Sequence, residues 1–211
     1  MNINEAKESF KIITMGNSGV GKTSLLKRFI FNSFSDNLLS TLGLEFTSKE
    51  ITLKNGKKII LKLFDTAGQE KYRSLSKSYF KNVDGVLFVY AVNDLKSFEN
   101  IKDWIKIFTG NNDGKNDIPI YLIENKNDLE KQVNEQLILD FLNKYNFRFK
   151  SVSAKINKGN SINELFQEIS EILYQNFKNS NLKQNYKLEL VKYQKIKKKR
   201  TFCLNDKSTH Y

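Results

Sequence analysis

The 211-residue sequence predicts an α/β fold, a mostly parallel six-stranded sheet with one antiparallel edge strand and helices on both faces. Three observations carry this. Apolar runs of strand length alternate almost throughout with segments whose apolar residues recur at helical spacing, the order that builds crossover connections. Two of the runs, Leu44 to Leu53 and Lys58 to Phe64, are separated only by Lys54-Asn55-Gly56-Lys57. The Asn-Gly pair makes a tight hairpin, so those two strands are antiparallel. A stretch of small residues, Gly16-Asn17-Ser18-Gly19-Val20-Gly21-Lys22-Thr23, joins the first strand to the first helix.

In chain order, Phe10 to Met15 reads as a buried strand. After the small-residue stretch, Leu25, Leu26, Phe29 and Ile30 share one helical face, and the helix should end near Asn32, before a loop from Ser33 to Thr41. In the hairpin's return strand Ile59, Leu61 and Leu63 alternate with Lys58, Ile60 and Lys62. Asp65-Thr66-Ala67-Gly68-Gln69-Glu70 follows at its carboxyl end, and a polar, poorly periodic stretch runs to Asn82. Gly85 to Val92 is continuously apolar, as a strand buried on both faces must be. Ser97 to Phe108 reads as one helix, Ile118 to Ile123 as a buried strand, and Asn134 to Tyr145 as a helix. Phe147 to Val152 is the last strand, and Ile162 to Phe177 an amphipathic helix.

Composition narrows the class. Hydrophobic residues at 39% and aromatics at 12% suffice for a packed domain, and no apolar run approaches the ~18 residues of a membrane span. Residues 1–9 are polar, without a secretory or myristoylation pattern, and the lone Cys203 excludes an intramolecular disulfide or a cysteine zinc site. A cytoplasmic location is the simplest fit. The net charge of +12 first suggests nucleic acid, but +8 of it lies in residues 178–211, so no specific nucleic acid is expected. The expected organisation is an N-terminal extension over 1–9, a folded domain over 10–177 and a basic tail over 178–211 whose composition predicts disorder.

The Gly16 to Thr23 stretch fits G-x-x-x-x-G-K-[ST], the phosphate-binding loop, placed between strand and helix as the motif demands. Ser18, Gly19, Val20, Gly21, Lys22, Thr23 and Ser24 would cradle phosphates with backbone N–H groups at the positive end of the helix. Lys22 would reach the β- and γ-phosphates, and the Thr23 hydroxyl would ligate Mg²⁺. The loop alone leaves the nucleotide open. Asn125-Lys126-Asn127-Asp128, after a buried strand, narrows it to guanine. A carboxylate at Asp128 accepts from guanine N1–H and the N2 amino group, neither of which adenine offers there, and such sites discriminate by roughly 10⁴ or more. Lys126 would lie over the base. In Ser153-Ala154-Lys155 the Ala154 N–H would reach guanine O6. Asp65, ending a strand, would hold Mg²⁺ directly or through water. The Gly68 N–H would approach the γ-phosphate, Gln69 would orient the attacking water, and Thr41 would complete the metal shell. Phe34 is open between stacking on the base and simple core packing.

The sequence resembles the Ras superfamily of small GTPases, and within it the Rab branch, over residues 10–177. The motifs above carry the resemblance together with Thr41-Leu42-Gly43-Leu44-Glu45-Phe46, Phe64-Asp65-Thr66-Ala67-Gly68-Gln69-Glu70-Lys71-Tyr72, Tyr79-Phe80-Lys81-Asn82-Val83-Asp84-Gly85 and Phe88-Val89-Tyr90-Ala91-Val92-Asn93-Asp94. It implies the P-loop NTPase (small G-protein) fold, with switch I over 34–46 and switch II over 65–80, segments that order around a γ-phosphate. It also implies an effector patch of Phe46, Phe64 and Tyr79. Four departures stand out. Phe64 replaces the family's Trp, Ala91 replaces a common Asp, and Glu124 replaces the Gly before Asn125, which puts a like charge near Asp128 and would weaken nucleotide affinity. Cys203 is followed by eight residues ending in His210-Tyr211, which is no prenylation box.

The expected activity is therefore that of a Rab-like GTP/GDP switch acting in vesicle-mediated transport, with Gln69 and Lys22 as catalytic residues and GTP/GDP and Mg²⁺ as ligands. Its partners would be effectors, an exchange factor and a GTPase-activating protein, and the chain would be monomeric. With no arginine finger in cis, unaided hydrolysis should be slow. A scaffold that binds guanine nucleotide without cycling is the rival reading, and Asp128 disfavours an ATPase. In the tail, Lys197-Lys198-Lys199-Arg200 beside Leu188, Leu190, Val191, Tyr193 and Ile196 reads either as a solvated tail or as a peripheral contact with anionic membrane.

Overall fold

The computed structural model describes residues 8–35, 44–66, 77–112 and 118–182, and the chain divides into two compact units, Met1–Leu173 and Tyr174–Tyr211. In the first unit β1 (Ser9–Met15), β2 (Leu44–Thr52), β3 (Lys58–Thr66), β4 (Gly85–Ala91), β5 (Ile120–Asn125) and β6 (Arg148–Ser151) form one sheet in the order β2-β3-β1-β4-β5-β6. Only β2–β3 is antiparallel. Its register runs from Leu44 opposite Thr66 to Thr52 opposite Lys58, closed by the Lys54 to Lys57 turn, where Gly56 has φ 82°. The fold class expected from the sequence is the one observed.

Alternation assigns the faces. Every residue of β4 is buried. On one face Val86, Phe88 and Tyr90 pack with Ile13, Met15, Leu122 and Phe80 against α3 (Ile101–Asn111) and α4 (Glu135–Tyr145), which bury Ile101, Trp104 and Phe108 and Ile138 and Phe141. On the other face Phe29 of α1 (Lys22–Phe31) stacks on Phe166 of α5, whose part in the first unit is 161–173, with ring centroids 3.9 Å apart. Helix also covers 174–182 of the second unit. The predicted 97–108 helix is in fact two: α2 (Leu95–Glu99), whose cap Asp94 accepts from the Ser97 N–H at 3.0 Å, and α3, with Asn100 between them. Asparagine, which competes for backbone hydrogen bonds, suits that division.

The consequence for the site is topological. β1 lies between β3 and β4, so the crossover direction reverses at its carboxyl end, where ligands collect in open α/β sheets. The carboxyl ends of β1, β3, β5 and β6 are where the sequence places the four motifs.

Candidate nucleotide-binding site

The loop after β1 is shaped by glycines that no other residue could replace without movement. Gly16 has φ +150°, and a Cβ there would lie 2.1 Å from the Val89 carbonyl oxygen. Gly21, at φ +92°, is the N-cap of α1, and its Cβ would fall 2.4 Å from Asn125 Nδ2. The loop therefore packs against β4 and against the turn after β5 without a side chain between. Gly21 makes no side-chain cap hydrogen bond at the start of α1, and a helix N-terminus is suited to an anion through its backbone N–H groups.

Lys22, Thr23 and Ser24 form that first turn. The Lys22 ammonium folds back onto the Gly16 and Asn17 carbonyl oxygens, both at 2.9 Å, and is 5% exposed. Burial pushes its pKa down to about 8, against the opposing pull of the Asp65 charge. The Thr23 hydroxyl donates to one Asp65 carboxylate oxygen, and Thr14 Oγ1 donates to the other at 3.3 Å. Asp65 is 3% exposed at the end of β3. A hydroxyl and a carboxylate in contact beside a lysine form a hard oxygen donor set suited to Mg²⁺.

Asn125 joins this half of the site to the other. Its Nδ2 donates to the Val20 and Gly21 carbonyl oxygens at 2.9 and 3.3 Å, and its Oδ1 accepts from the Ala154 N–H at 3.3 Å. Lys126 takes a left-handed backbone with φ 62°, and its Cε comes 3.9 Å from the position of a Cβ on Gly21, against the phosphate loop. Ser153 Oγ donates to the Asp128 carboxylate and accepts from the Lys155 and Ile156 N–H groups at 3.2 and 3.0 Å. That contact orients the carboxylate. Lys155 Nζ lies 6.0 Å from the centroid of the half-buried Phe34 ring. Thr41, Gly68 and Gln69, with 36–43 of switch I and 67–76 of switch II, lie outside the described residues.

Two supports were not legible in the sequence. Trp104 Nε1 donates to Asn17 Oδ1 at 2.9 Å, fastening the loop to α3. Arg28 Nε and a terminal guanidinium nitrogen donate to the Ala154 and Lys155 carbonyl oxygens at 2.8 and 2.9 Å, fastening the 153–155 segment to α1. Both reach across more than 80 positions of sequence. Neither periodicity nor motif spacing encodes such a pairing.

The Ras family model matches residues 11–175. This chain belongs to the Ras family. Among its relatives, Ras-related protein Rab-11B of Dictyostelium discoideum is 42% identical over 171 residues, covering 79% of this chain and 76% of that protein. Ras-related protein SEC4 of Candida albicans is 34% identical over 82% of this chain and 80% of its own. Ras-related protein Rab-5B of Plasmodium falciparum is 34% identical over 80% and 79%. This Ras-family small GTPase is thus related to Rab and SEC4 proteins. Its aromatic trio sits at the β2–β3 edge. The Phe46 and Phe64 ring centroids are 5.0 Å apart and those of Phe64 and Tyr79 5.9 Å. Phe46 is 56% exposed and Tyr79 5%, so Phe46 is the outward member. Lys11 Nζ lies 4.7 Å from the Phe64 ring centroid. Among the described residues no helix is long and apolar enough to cross a membrane.

Proposed function

We propose that this chain is a Rab-like GTP/GDP switch that binds guanine nucleotide with Mg²⁺, hydrolyses GTP slowly, and serves vesicle-mediated transport through partners that read its nucleotide state. The observation that carries the reading is Asn125, whose one side chain touches Val20 and Gly21 of the phosphate loop and accepts from Ala154 of the segment expected at guanine O6. A phosphate reader and a base reader are thereby held as one site.

Lys22 would neutralise phosphate charge, Thr23 and Asp65 would hold the metal with Thr41, and Asp128 would select guanine. Bound Mg²⁺ supplies charge neutralisation at the phosphate oxygens. Gln69 would orient the water, and Gly68 would sense the γ-phosphate with its N–H. Phe46 is the surface that effectors would meet, with the half-buried Phe64 beside it and the buried Tyr79 packed behind as its support. The trafficking role rests on the resemblance to the Rab branch, and the likeness to Ras-related proteins Rab-11B and SEC4, at 42% and 34% identity, supports that placement.

Displacement of fluorescent GDP by GTP, GDP and ATP, followed by phosphate release, tests the reading. GTP and GDP should compete and ATP should not, and Gln69→Leu should lower single-turnover phosphate release at least tenfold while leaving GDP affinity in place. Competition by ATP would overturn the guanine assignment, and unchanged release in Gln69→Leu would remove Gln69 from the chemistry.

A further inference from the structure

Glu124, on β5, is 0% exposed and carries a carboxylate that the nucleotide chemistry does not use. A buried carboxylate is retained only where donors and a countercharge meet it. Three do. Tyr90 OH donates to Oε2 at 2.8 Å, Ser151 Oγ donates to Oε1 at 2.7 Å, and Lys131 Nζ lies 3.4 Å from Oε1. The Tyr90 phenol is correspondingly driven to a higher pKa, by burial first and by the Glu124 contact second.

The partners sit on both sides of Asp128. Ser151 Oγ, while donating to Glu124, accepts from Asn127 Nδ2 at 3.1 Å. Asn127 precedes Asp128 directly, and Lys131 follows it by three residues. One carboxylate therefore holds the turn before Asp128 through Ser151 and after it through Lys131, while Ser153 orients the Asp128 carboxylate itself. The backbone adds a parallel tie, with the Asn127 N–H donating to the Val152 carbonyl at 3.2 Å and the Val152 N–H to the Glu124 carbonyl at 2.8 Å. The like charge expected near Asp128 is thus met by a lysine and two hydroxyls.

We infer that Glu124 is a positioning residue for guanine selection: with Tyr90, Ser151 and Lys131 it fixes the 125–131 turn so that Asp128 presents its carboxylate to the N1–H and N2 donors of the base. The inference rests on the guanine reading above. It makes Glu124 a contributor to base discrimination rather than a burden on affinity.

The test compares dissociation of GDP and of inosine diphosphate, which lacks the N2 amino group, from the Mg²⁺-bound full chain. The unaltered protein should release inosine diphosphate on the order of tenfold faster than GDP, since one hydrogen bond to a charged acceptor is missing. In Glu124→Ala, GDP release should accelerate roughly three- to tenfold and inosine diphosphate release less, so the ratio falls. Lys131→Ala, at a half-exposed position, should shift the ratio the same way by a smaller factor, and it decides the matter if Glu124→Ala does not fold. Glu124→Gln, which keeps oxygen and loses charge, should restore part of the ratio. Equal acceleration of both nucleotides, or none in either variant, overturns the inference, because a merely structural carboxylate would not change discrimination. A protein that fails to distinguish GDP from ATP at all, with Asp128→Ala no worse, would instead overturn the guanine reading.

Discussion

Lys22 shows how a single side chain in this site is set against its own surroundings. Burial pushes its pKa down to about 8 from an ordinary value of 10.5, because an ammonium removed from water loses its charged form first. The sign follows from proton counting. Between about pH 8 and 10.5 the unfolded chain holds the proton and the folded chain does not, so this residue makes the nucleotide-free fold more stable as pH rises through that window. Phosphate at the ammonium acts oppositely and favours the charged form. Binding above pH 8 must then take up a proton, and GDP affinity should fall towards tenfold per pH unit. Calorimetric titration of GDP from about pH 7 to 9 measures this. Lys22→Arg, which stays charged throughout, should flatten the profile, and guanine's own ionisation is common to both proteins. Identical profiles for the two would show that Lys22 carries its proton in the free protein.

At the scale of elements, asparagine does much of the work that glycine does elsewhere. Among the described residues, five of the six non-glycine residues with positive φ are Asn: Asn32, Asn82, Asn146, Asn157 and Asn160. Asn32 ends α1 and Asn146 ends α4 in the left-handed conformation, with N–H groups donating to the Arg28 and Leu142 carbonyls at 2.9 and 2.8 Å. Asn146→Ala should destabilise the GDP-bound protein by about 1–2 kcal/mol, since Ala meets the full Cβ penalty there, while Asn146→Gly should be neutral within about 0.5 kcal/mol. Urea denaturation compares them, and equal midpoints for the two would remove the cap from the account. These caps also explain why the element pattern could be read so far. Alternation in Lys58 to Leu63, the continuous run in β4, the Asn-Gly turn and the face of α1 are local signals, and they predict the sheet and its antiparallel edge. The split at Asn100 has no local signal, because the apolar spacing of Phe98, Ile101 and Trp104 continues unbroken across it. The site divides the same way. Gly16 to Thr23, Asp65, Asn125 to Asp128 and Ser153 to Lys155 announce themselves by residue type and position after strands. The Arg28 and Trp104 ties and the Glu124 cluster are products of packing between distant segments, which no local pattern contains.

For the whole first unit, the sheet must be covered on both faces before the strand ends can hold a site, and the covering helices are not equivalent. α1 carries Lys22 and Thr23 at one end and Arg28 towards the other, and Phe29 is one of the buried side chains, with Leu25 and Leu26, that hold it to the body of the unit. The Phe29 ring stacks on Phe166, 0% exposed, at 3.9 Å with planes 14° apart. Replacing Phe166 with Ala should cost about 3–5 kcal/mol, the range for a buried aromatic whose cavity does not collapse. A domain with a total stability of roughly 5–15 kcal/mol would survive this narrowly. The melting temperature of nucleotide-free Phe166→Ala should drop by on the order of 10 °C. Nucleotide binds only the folded state, so GDP at about a thousand times its dissociation constant contributes roughly 4 kcal/mol and should offset most of the loss. The two effects separate cleanly in a series of melting curves against GDP concentration with Mg²⁺ present. If the stack serves packing alone, Phe166→Ala and the unaltered protein gain stability in parallel as GDP rises. If it also sets the position of α1, the variant's curves lag at low GDP by the factor its affinity has lost, because Lys22, Thr23 and the Arg28 tie to 154–155 move with the helix. An unchanged melting temperature in Phe166→Ala would show that this stack does not hold α1 in place, and that its anchoring lies in Leu25 and Leu26, 0% and 5% exposed on the same helix.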